Sequence, residues 1–123
     1  MDPIVTREVT VDAPLEDVWE AVTDEATRAD WLAEDGADRP LQVEETVERE
    51  RITWRWGPDE DGPASTVTIT LRPHDDGTTS VHVVERLLAP AARASASAVL
   101  AGAAWDRRLL GLELCLVLGL ARV

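Results

Sequence analysis

The spacing of hydrophobic positions divides the chain into a strand, two helices, a run of strands and a long final helix. The segment from Ile4 to Val11 alternates with a period of two, as a half-buried strand does. Apolar residues then recur at helical spacing at Leu15, Val18, Trp19 and Val22. Asp12 is the predicted N-cap of this helix. A second short helix is expected from about Glu25 to Leu32, capped by Thr23 or Asp24.

The middle of the chain contains period-two alternation without helical spacing, which predicts four further strands. Their apolar positions are Leu41, Val43 and Val47; Ile52, Trp54 and Trp56; Val67, Ile69 and Leu71; and Val81, Val83 and Leu87. Loops are expected at 33–40 and 57–63. The dipeptide Asp76-Gly77 favours a tight hairpin between the last two strands.

Helical spacing returns at about Ala91 and continues towards the C-terminus. One apolar stripe consists of Trp105, Leu109, Leu112, Leu116 and Leu120. The order of elements predicts an α+β fold, with an antiparallel sheet packed on the last helix. With 123 residues, the chain fits a single domain that spans 1–123.

Composition narrows the possible functions. The net charge is −12, from 24 acidic and 12 basic side chains, and every basic one is arginine. Such a charge disfavours nucleic acids and anionic membrane surfaces as partners. With one cysteine there is no internal disulfide. We recognise no basic-plus-apolar leader, so a cytoplasmic location is expected.

Three segments carry a resemblance to a known superfamily: REVTVDAPLEDVWEAVTDEATRADWL, ITWRWG and AAWDRRLLGLEL. They resemble the START-like (SRPBCC, Bet v 1-like) superfamily, in the branch of the activator-of-heat-shock-ATPase homologues, which are often called polyketide cyclase-like. The resemblance implies a helix-grip fold, in which a curved antiparallel sheet surrounds the C-terminal helix around a hydrophobic cavity. It does not imply a single activity, because members include carriers, cyclases and accessory regulators.

The chain departs from this pattern between residues 33 and 41, where such relatives usually have an additional pair of strands. We therefore expect about five strands and a cavity with part of one wall missing. A homodimer would close such a cavity, and Leu41–Glu48 would be the exposed edge strand. The acidic residues of this region argue against edge-to-edge pairing of two copies; they are Glu44, Glu45, Glu48 and Glu50.

The resemblance places one face of the sheet towards the last helix, which defines a candidate ligand site. Trp54, Trp56 and Trp105 would form an aromatic pocket for a flat apolar ligand. The other apolar residues expected at this site are Ile69, Leu71, Val81, Val83, Leu109 and Leu112. The alternative is that the tryptophans simply fill the core of a chain that has no Phe or Tyr.

Arg7 and Glu85 are charged residues whose parity also places them on the face towards the helix. In the helix-grip topology the first and last strands pair, so we expect these two side chains to meet. A buried charge is tolerated only when it is paired. Their pairing is therefore a hypothesis for a polar anchor at the cavity wall, and a solvated ion pair at the sheet rim is the alternative.

Convincing catalytic or metal-binding motifs are not recognised in the sequence. His74, Asp75 and Asp76 lie in the predicted hairpin turn, where Asp and Gly are expected for backbone reasons. We therefore assign no catalytic residues, no metal and no cofactor. The sequence favours non-catalytic binding of a small hydrophobic molecule, with a regulatory or stress-related role. A polyketide cyclase-type enzyme and a heat-shock ATPase accessory module that acts through protein contacts remain as alternatives.

Overall fold

A computed structural model describes residues 4–32, 41–56, 64–87 and 91–118. Within them the elements are β1 (Ile4–Val11), α1 (Leu15–Thr23), α2 (Glu25–Leu32), β2 (Leu41–Val47), β3 (Arg51–Trp56), β4 (Ser65–Pro73), β5 (Thr79–Leu87) and α3 (Ala91–Leu118). This order confirms the predicted α+β architecture. The expected loops at 33–40 and 57–63, and the shortening between 33 and 41, lie outside the described residues.

The five strands form one antiparallel sheet in the order β1-β5-β4-β3-β2. The first and last strands are neighbours, as predicted, and Val5 lies opposite Glu85. β2 is an edge strand whose central residues are exposed, which confirms the expected edge. Its acidic residues are partly paired within the sheet, because Glu45 contacts Arg51 at 3.1 Å and Glu44 contacts Arg55 at 3.8 Å.

One face of the sheet is buried, and we call it the inner face. It packs on α3, which lies mainly against β1 and also contacts α2, while α1 packs against β4. Burial alternates strictly along β5, and along β4 from Ser65 to Leu71, as expected for strands with one buried face. This arrangement of a sheet around a C-terminal helix is the helix-grip fold. The largest fully buried apolar side chains are Trp54, Trp105, Ile52, Ile69 and Leu112.

Local signals set the ends of the helices and the hairpin. Asp24 caps α2, because its Oδ2 accepts a hydrogen bond of 2.9 Å from the backbone N–H of Thr27. The predicted cap at Asp12 is wrong. The N-cap of α1 is Pro14, whose side chain makes no capping hydrogen bond. Asp12 does not cap the helix because the chain bends after β1 and leaves it exposed, two residues before the N-cap. The predicted hairpin turn is present, with Gly77 at a φ of 86°.

Candidate functional site

Three indoles meet between the sheet and the last helix. Trp54 and Trp56 lie on β3 and Trp105 lies on α3. The ring centroids are 5.6 Å apart for Trp54 and Trp56, 6.5 Å for Trp54 and Trp105, and 5.9 Å for Trp56 and Trp105. We call these residues the tryptophan cluster. The cluster confirms that the three side chains come together, and its tight packing also makes them part of the core.

Cross-strand register explains why a carboxylate lies beside the cluster. Val67 is directly opposite Trp54 on one side and Glu85 on the other. These three residues therefore form one row across the inner face. In the next row, Trp56 lies opposite Ser65. The polar side chains of the inner face are thereby placed next to the aromatic ones.

Glu85 is buried, with 2% of its surface exposed. Ser65 Oγ donates a hydrogen bond of 2.5 Å to its Oε2, and Trp105 Nε1 donates one of 2.9 Å to its Oε1. Both carboxylate oxygens therefore accept a hydrogen bond, as a buried carboxylate requires. Because its donors come from β4 and α3, Glu85 ties three elements together.

The predicted pairing of Arg7 with Glu85 is wrong. Arg7 lies opposite Val83 in the sheet, one row away from Glu85. Its Nε donates a hydrogen bond of 2.9 Å to Oδ1 of Asp106 on α3, and this ion pair is exposed to solvent, with 41% and 63% of the two side chains accessible. The guanidinium passes over Gly102, where a methyl group would overlap Nη2 of Arg7. Arg7 therefore fastens β1 to α3 at the surface.

Two arginines that the sequence analysis did not identify lie next to the indoles. The guanidinium of Arg108 lies 4.9 Å from the ring centroid of Trp56 and 5.1 Å from that of Trp105. The guanidinium of Arg28 lies 5.8 Å from the ring of Trp54. Its Nη1 also donates to the backbone oxygen of Val22 at 3.3 Å. Burial lowers the pKa of Arg28, and the nearby Glu25 and Asp24 oppose this change.

The remaining residues predicted for the site belong to the same buried core. They lie on the inner face or on the buried side of α3: Ile69, Leu71, Val81, Val83, Leu109 and Leu112. Ser65 was missed, although its parity with Val67 and Ile69 places it on the inner face. The alternation of buried and exposed positions along β4 could therefore have identified Ser65 as an inner-face residue.

His74, Asp75 and Asp76 lie in the β4–β5 turn. Oδ1 of Asp76 accepts hydrogen bonds from the backbone N–H and from Oγ1 of Thr78, at 3.1 and 2.6 Å, and these hydrogen bonds lower its pKa. In the described part of the chain, no group of three or more His, Cys, Asp or Glu side chains is placed to hold a metal ion.

No helix in that same part is long and apolar enough to cross a membrane.

A known family matches two thirds of the chain. Residues 33–116 match the family model described as Activator of Hsp90 ATPase homolog 1-like protein. This match confirms the resemblance noted from the sequence. No curated protein matches the chain.

Solved structures share the fold over nearly the whole chain. DynU16, a protein in the dynemicin biosynthetic locus, is 26% identical, with a TM-score of 0.76 over 97% of this chain. The chain covers 49% of the DynU16 chain, about half its length. CalU16 from Micromonospora echinospora is 19% identical, with a TM-score of 0.71 over 93% of this chain and 81% of its own. The Aha1 dimer from Colwellia psychrerythraea is 14% identical, with a TM-score of 0.73 over 95% of this chain and 98% of its own.

Proposed function

The chain belongs to the family of Activator of Hsp90 ATPase homolog 1-like proteins, and we propose that it binds a small hydrophobic molecule without catalysis. The proposed site lies between the inner face of the sheet and α3, next to the tryptophan cluster. The observation that carries this proposal is the convergence of three indoles from β3 and α3 on one region of the inner face. Aromatic walls with few polar groups are typical of sites for small apolar ligands.

The surroundings of Glu85 favour binding over catalysis. A general acid or base must have a proton or a lone pair directed at the substrate. Each carboxylate oxygen of Glu85 instead accepts a hydrogen bond from within the protein, from Ser65 and from Trp105. This arrangement supports a role for Glu85 in fixing Trp105 and α3. A cyclase-type enzyme would need its substrate to reach this carboxylate, which is only 2% exposed.

Equilibrium dialysis against fluorene, a planar hydrocarbon, tests the proposal. We expect saturable binding with one fluorene per chain. Ile69→Phe enlarges a buried side chain on the inner face and should weaken binding. Thr70→Phe is the matched control, because Thr70 follows it on the same strand but has the opposite parity. Absence of saturable binding up to the solubility limit of fluorene would contradict the proposal. An equal loss of affinity in Ile69→Phe and Thr70→Phe would also contradict it.

A second proposal concerns protein contacts, and one surface feature favours it. Leu110, Leu114 and Val117 form an exposed apolar strip on α3, which we call the α3 stripe; they are 56%, 49% and 67% exposed. Their spacing of four and three residues places them on one side of the helix. The structural neighbour from Colwellia psychrerythraea is described as a dimer. We therefore propose that a second copy of this chain covers the α3 stripe.

Size-exclusion chromatography with light scattering tests the homodimer. The wild type should elute with twice the mass of the chain. Replacement of Leu110 and Leu114 by Ser should give a folded monomer, whereas Val43→Ser, which changes an exposed apolar residue on edge strand β2, should leave the dimer intact. A monomeric wild type would contradict this second proposal. If Val43→Ser dissociated the dimer and the α3 substitutions did not, the interface would lie at edge strand β2 instead of the α3 stripe.

A further inference from the structure

The face of the sheet opposite the inner face, which we call the outer face, has a line of short polar side chains along its middle. Its residues are half-buried or exposed along β3, β4 and β5, because the described helices pack on the inner face. β4 lies between β3 and β5 in the sheet, and its outward positions Thr66, Thr68 and Thr70 are all threonines. We call the shallow depression above these three residues the threonine trough.

Arginines lie at both ends of the threonine trough. At one end, Arg55 on β3 and Arg86 on β5 are both opposite Thr66, one on each side of it. At the other end, Arg72 follows Thr70 on the same face of β4. The side chains of Arg72 and Arg86 are exposed, and they make no hydrogen bond or ion pair within the described ranges.

Charges beside the third threonine, in contrast, have acidic neighbours. Arg51 lies opposite Thr70 and donates a hydrogen bond of 3.1 Å to Glu45. His82, on the other side of Thr70, lies opposite Glu8 of β1. Positive charge without an acidic neighbour is therefore concentrated at the two ends of the threonine trough.

The distance between these ends fits an extended polypeptide. Thr66 and Arg72 are six residues apart on one strand, which corresponds to about 20 Å. Guanidinium groups bind carboxylates through strong, charge-assisted hydrogen bonds. Arg55 keeps donors for a further acceptor, because its only ion pair is an exposed contact of 3.8 Å with Glu44. The net charge of −12 repels an acidic partner weakly at contact, since salt screens charges beyond about 8–10 Å.

We propose that the threonine trough binds an extended segment of another protein that carries two acidic residues six positions apart. One carboxylate lies above Thr66, between Arg55 and Arg86, and the other binds Arg72. Uncharged side chains of the segment lie between them, over the threonines. The outer face is separate from the proposed ligand site and from the α3 stripe, so this inference depends on neither.

Titration of the ¹⁵N-labelled protein with two peptides of identical composition tests the inference. Each is a nonapeptide of threonine and alanine with blocked ends and two glutamates. The glutamates are at the second and eighth positions in the spaced peptide and at the fourth and fifth positions in the adjacent peptide. We expect the spaced peptide to shift the amide signals of Thr66, Thr68 and Thr70. It should bind about fivefold more tightly than the adjacent peptide, as one additional exposed ion pair allows.

Substitution of single arginines tests which charges are responsible. Arg72→Gln should remove the preference for the spaced peptide, and Arg86→Gln should weaken binding of that peptide about fivefold. Arg7→Gln is the matched control, because it removes one positive charge from the other side of the sheet, where Arg7 pairs with Asp106. It should leave the preference unchanged.

Several outcomes would overturn the inference. Equal affinity for the two peptides would remove the requirement for spaced acidic residues, and absence of shifts on β4 up to the solubility limit of the peptides would remove the site. An equal loss of affinity in Arg7→Gln would show that only the net charge matters. Tighter binding of oligothymidylate at the same signals would assign the threonine trough to a nucleic acid instead of an acidic protein segment.

Discussion

Trp105 Nε1 and Glu85 Oε1 are joined by a hydrogen bond of 2.9 Å between α3 and β5. Both side chains are almost completely buried. The bond connects the long helix to the sheet at the tryptophan cluster. It fixes the orientation of one indole, while Trp54 keeps an N–H group without an acceptor in the described part of the chain. Within the tryptophan cluster, the indole donor of Trp105 is thus satisfied and that of Trp54 is not.

Trp105→Phe should destabilise the protein more than Trp54→Phe does. Both changes remove the same atoms from fully buried side chains, so the cost of the lost volume is similar. Only Trp105→Phe also removes a hydrogen bond to a carboxylate, which is worth about 1.5–3 kcal/mol. Urea denaturation of the two variants measures the difference in the free energy of unfolding. Equal costs would show that the Trp105–Glu85 bond contributes nothing net.

Glu85→Leu should cost more stability than Glu85→Gln. Leucine accepts no hydrogen bond, so Trp105 Nε1 and Ser65 Oγ would both be left as buried donors, at about 1–3 kcal/mol each. Glutamine keeps an oxygen that can accept from Trp105, and its amide group can donate to Ser65. Thermal and urea denaturation provide the comparison. A Leu variant as stable as the Gln variant would indicate that the buried carboxylate is not required for the fold.

Gly102→Ala should stabilise the protein only when Arg7 is absent. Alanine is favoured over glycine within a helix by about 0.5–1 kcal/mol, but its methyl group would displace the guanidinium of Arg7 from Asp106. The lost ion pair is exposed and is worth at most about 1 kcal/mol. Gly102→Ala should therefore be nearly neutral in the wild type and stabilising in Arg7→Ala.

A double-mutant cycle at low and high salt checks this coupling. Added salt weakens the exposed pair, so the difference between the two backgrounds should shrink as salt rises. Equal effects of Gly102→Ala in both backgrounds would show that Arg7 does not cross the helix at this residue.

Asp24 should contribute to stability near neutral pH and lose this contribution in acid. Hydrogen bonds from the backbone N–H and the hydroxyl of Thr27 lower its pKa below the ordinary value of 3.8. A carboxyl group with a lower pKa in the folded state binds its proton more weakly there than in the unfolded state. Its stabilisation is therefore complete above the unfolded pKa and is lost as the pH falls through the folded pKa.

Asp24→Ala should lower the melting temperature at pH 7 and change it little at the most acidic pH at which the wild type still folds. Asp12→Ala is the matched control, because it removes an exposed carboxyl group that does not cap a helix. Melting curves from pH 7 to pH 2 measure both. If Asp24→Ala lowered the melting temperature by the same amount at every pH, this would contradict the role of Asp24 as the N-cap of α2.

Periodicity in the sequence was sufficient to predict the strands and helices and, outside β2, the face that most residues occupy. In β2 the register shifts between Val43 and Glu45, so Thr46 rather than Val47 lies opposite the buried Ile52. Periodicity placed Trp54, Trp56 and Trp105 together, because parity and helical phase are set by backbone geometry alone. It could not predict side-chain partners. Arg7 and Glu85 share a face, but they lie in adjacent rows. Asp106, the actual partner of Arg7, lies 99 residues away on α3, and no spacing rule connects them.

The indole N–H spectrum of the ¹⁵N-labelled protein tests ligand binding at the tryptophan cluster most directly, because each of the five tryptophans gives its own signal. The spectrum is recorded without and with saturating fluorene. The account predicts that the signals of Trp54, Trp56 and Trp105 shift, while those of Trp19 and Trp31 stay in place. Unchanged signals for all three residues of the cluster, or shifts confined to Trp19 and Trp31, would contradict it.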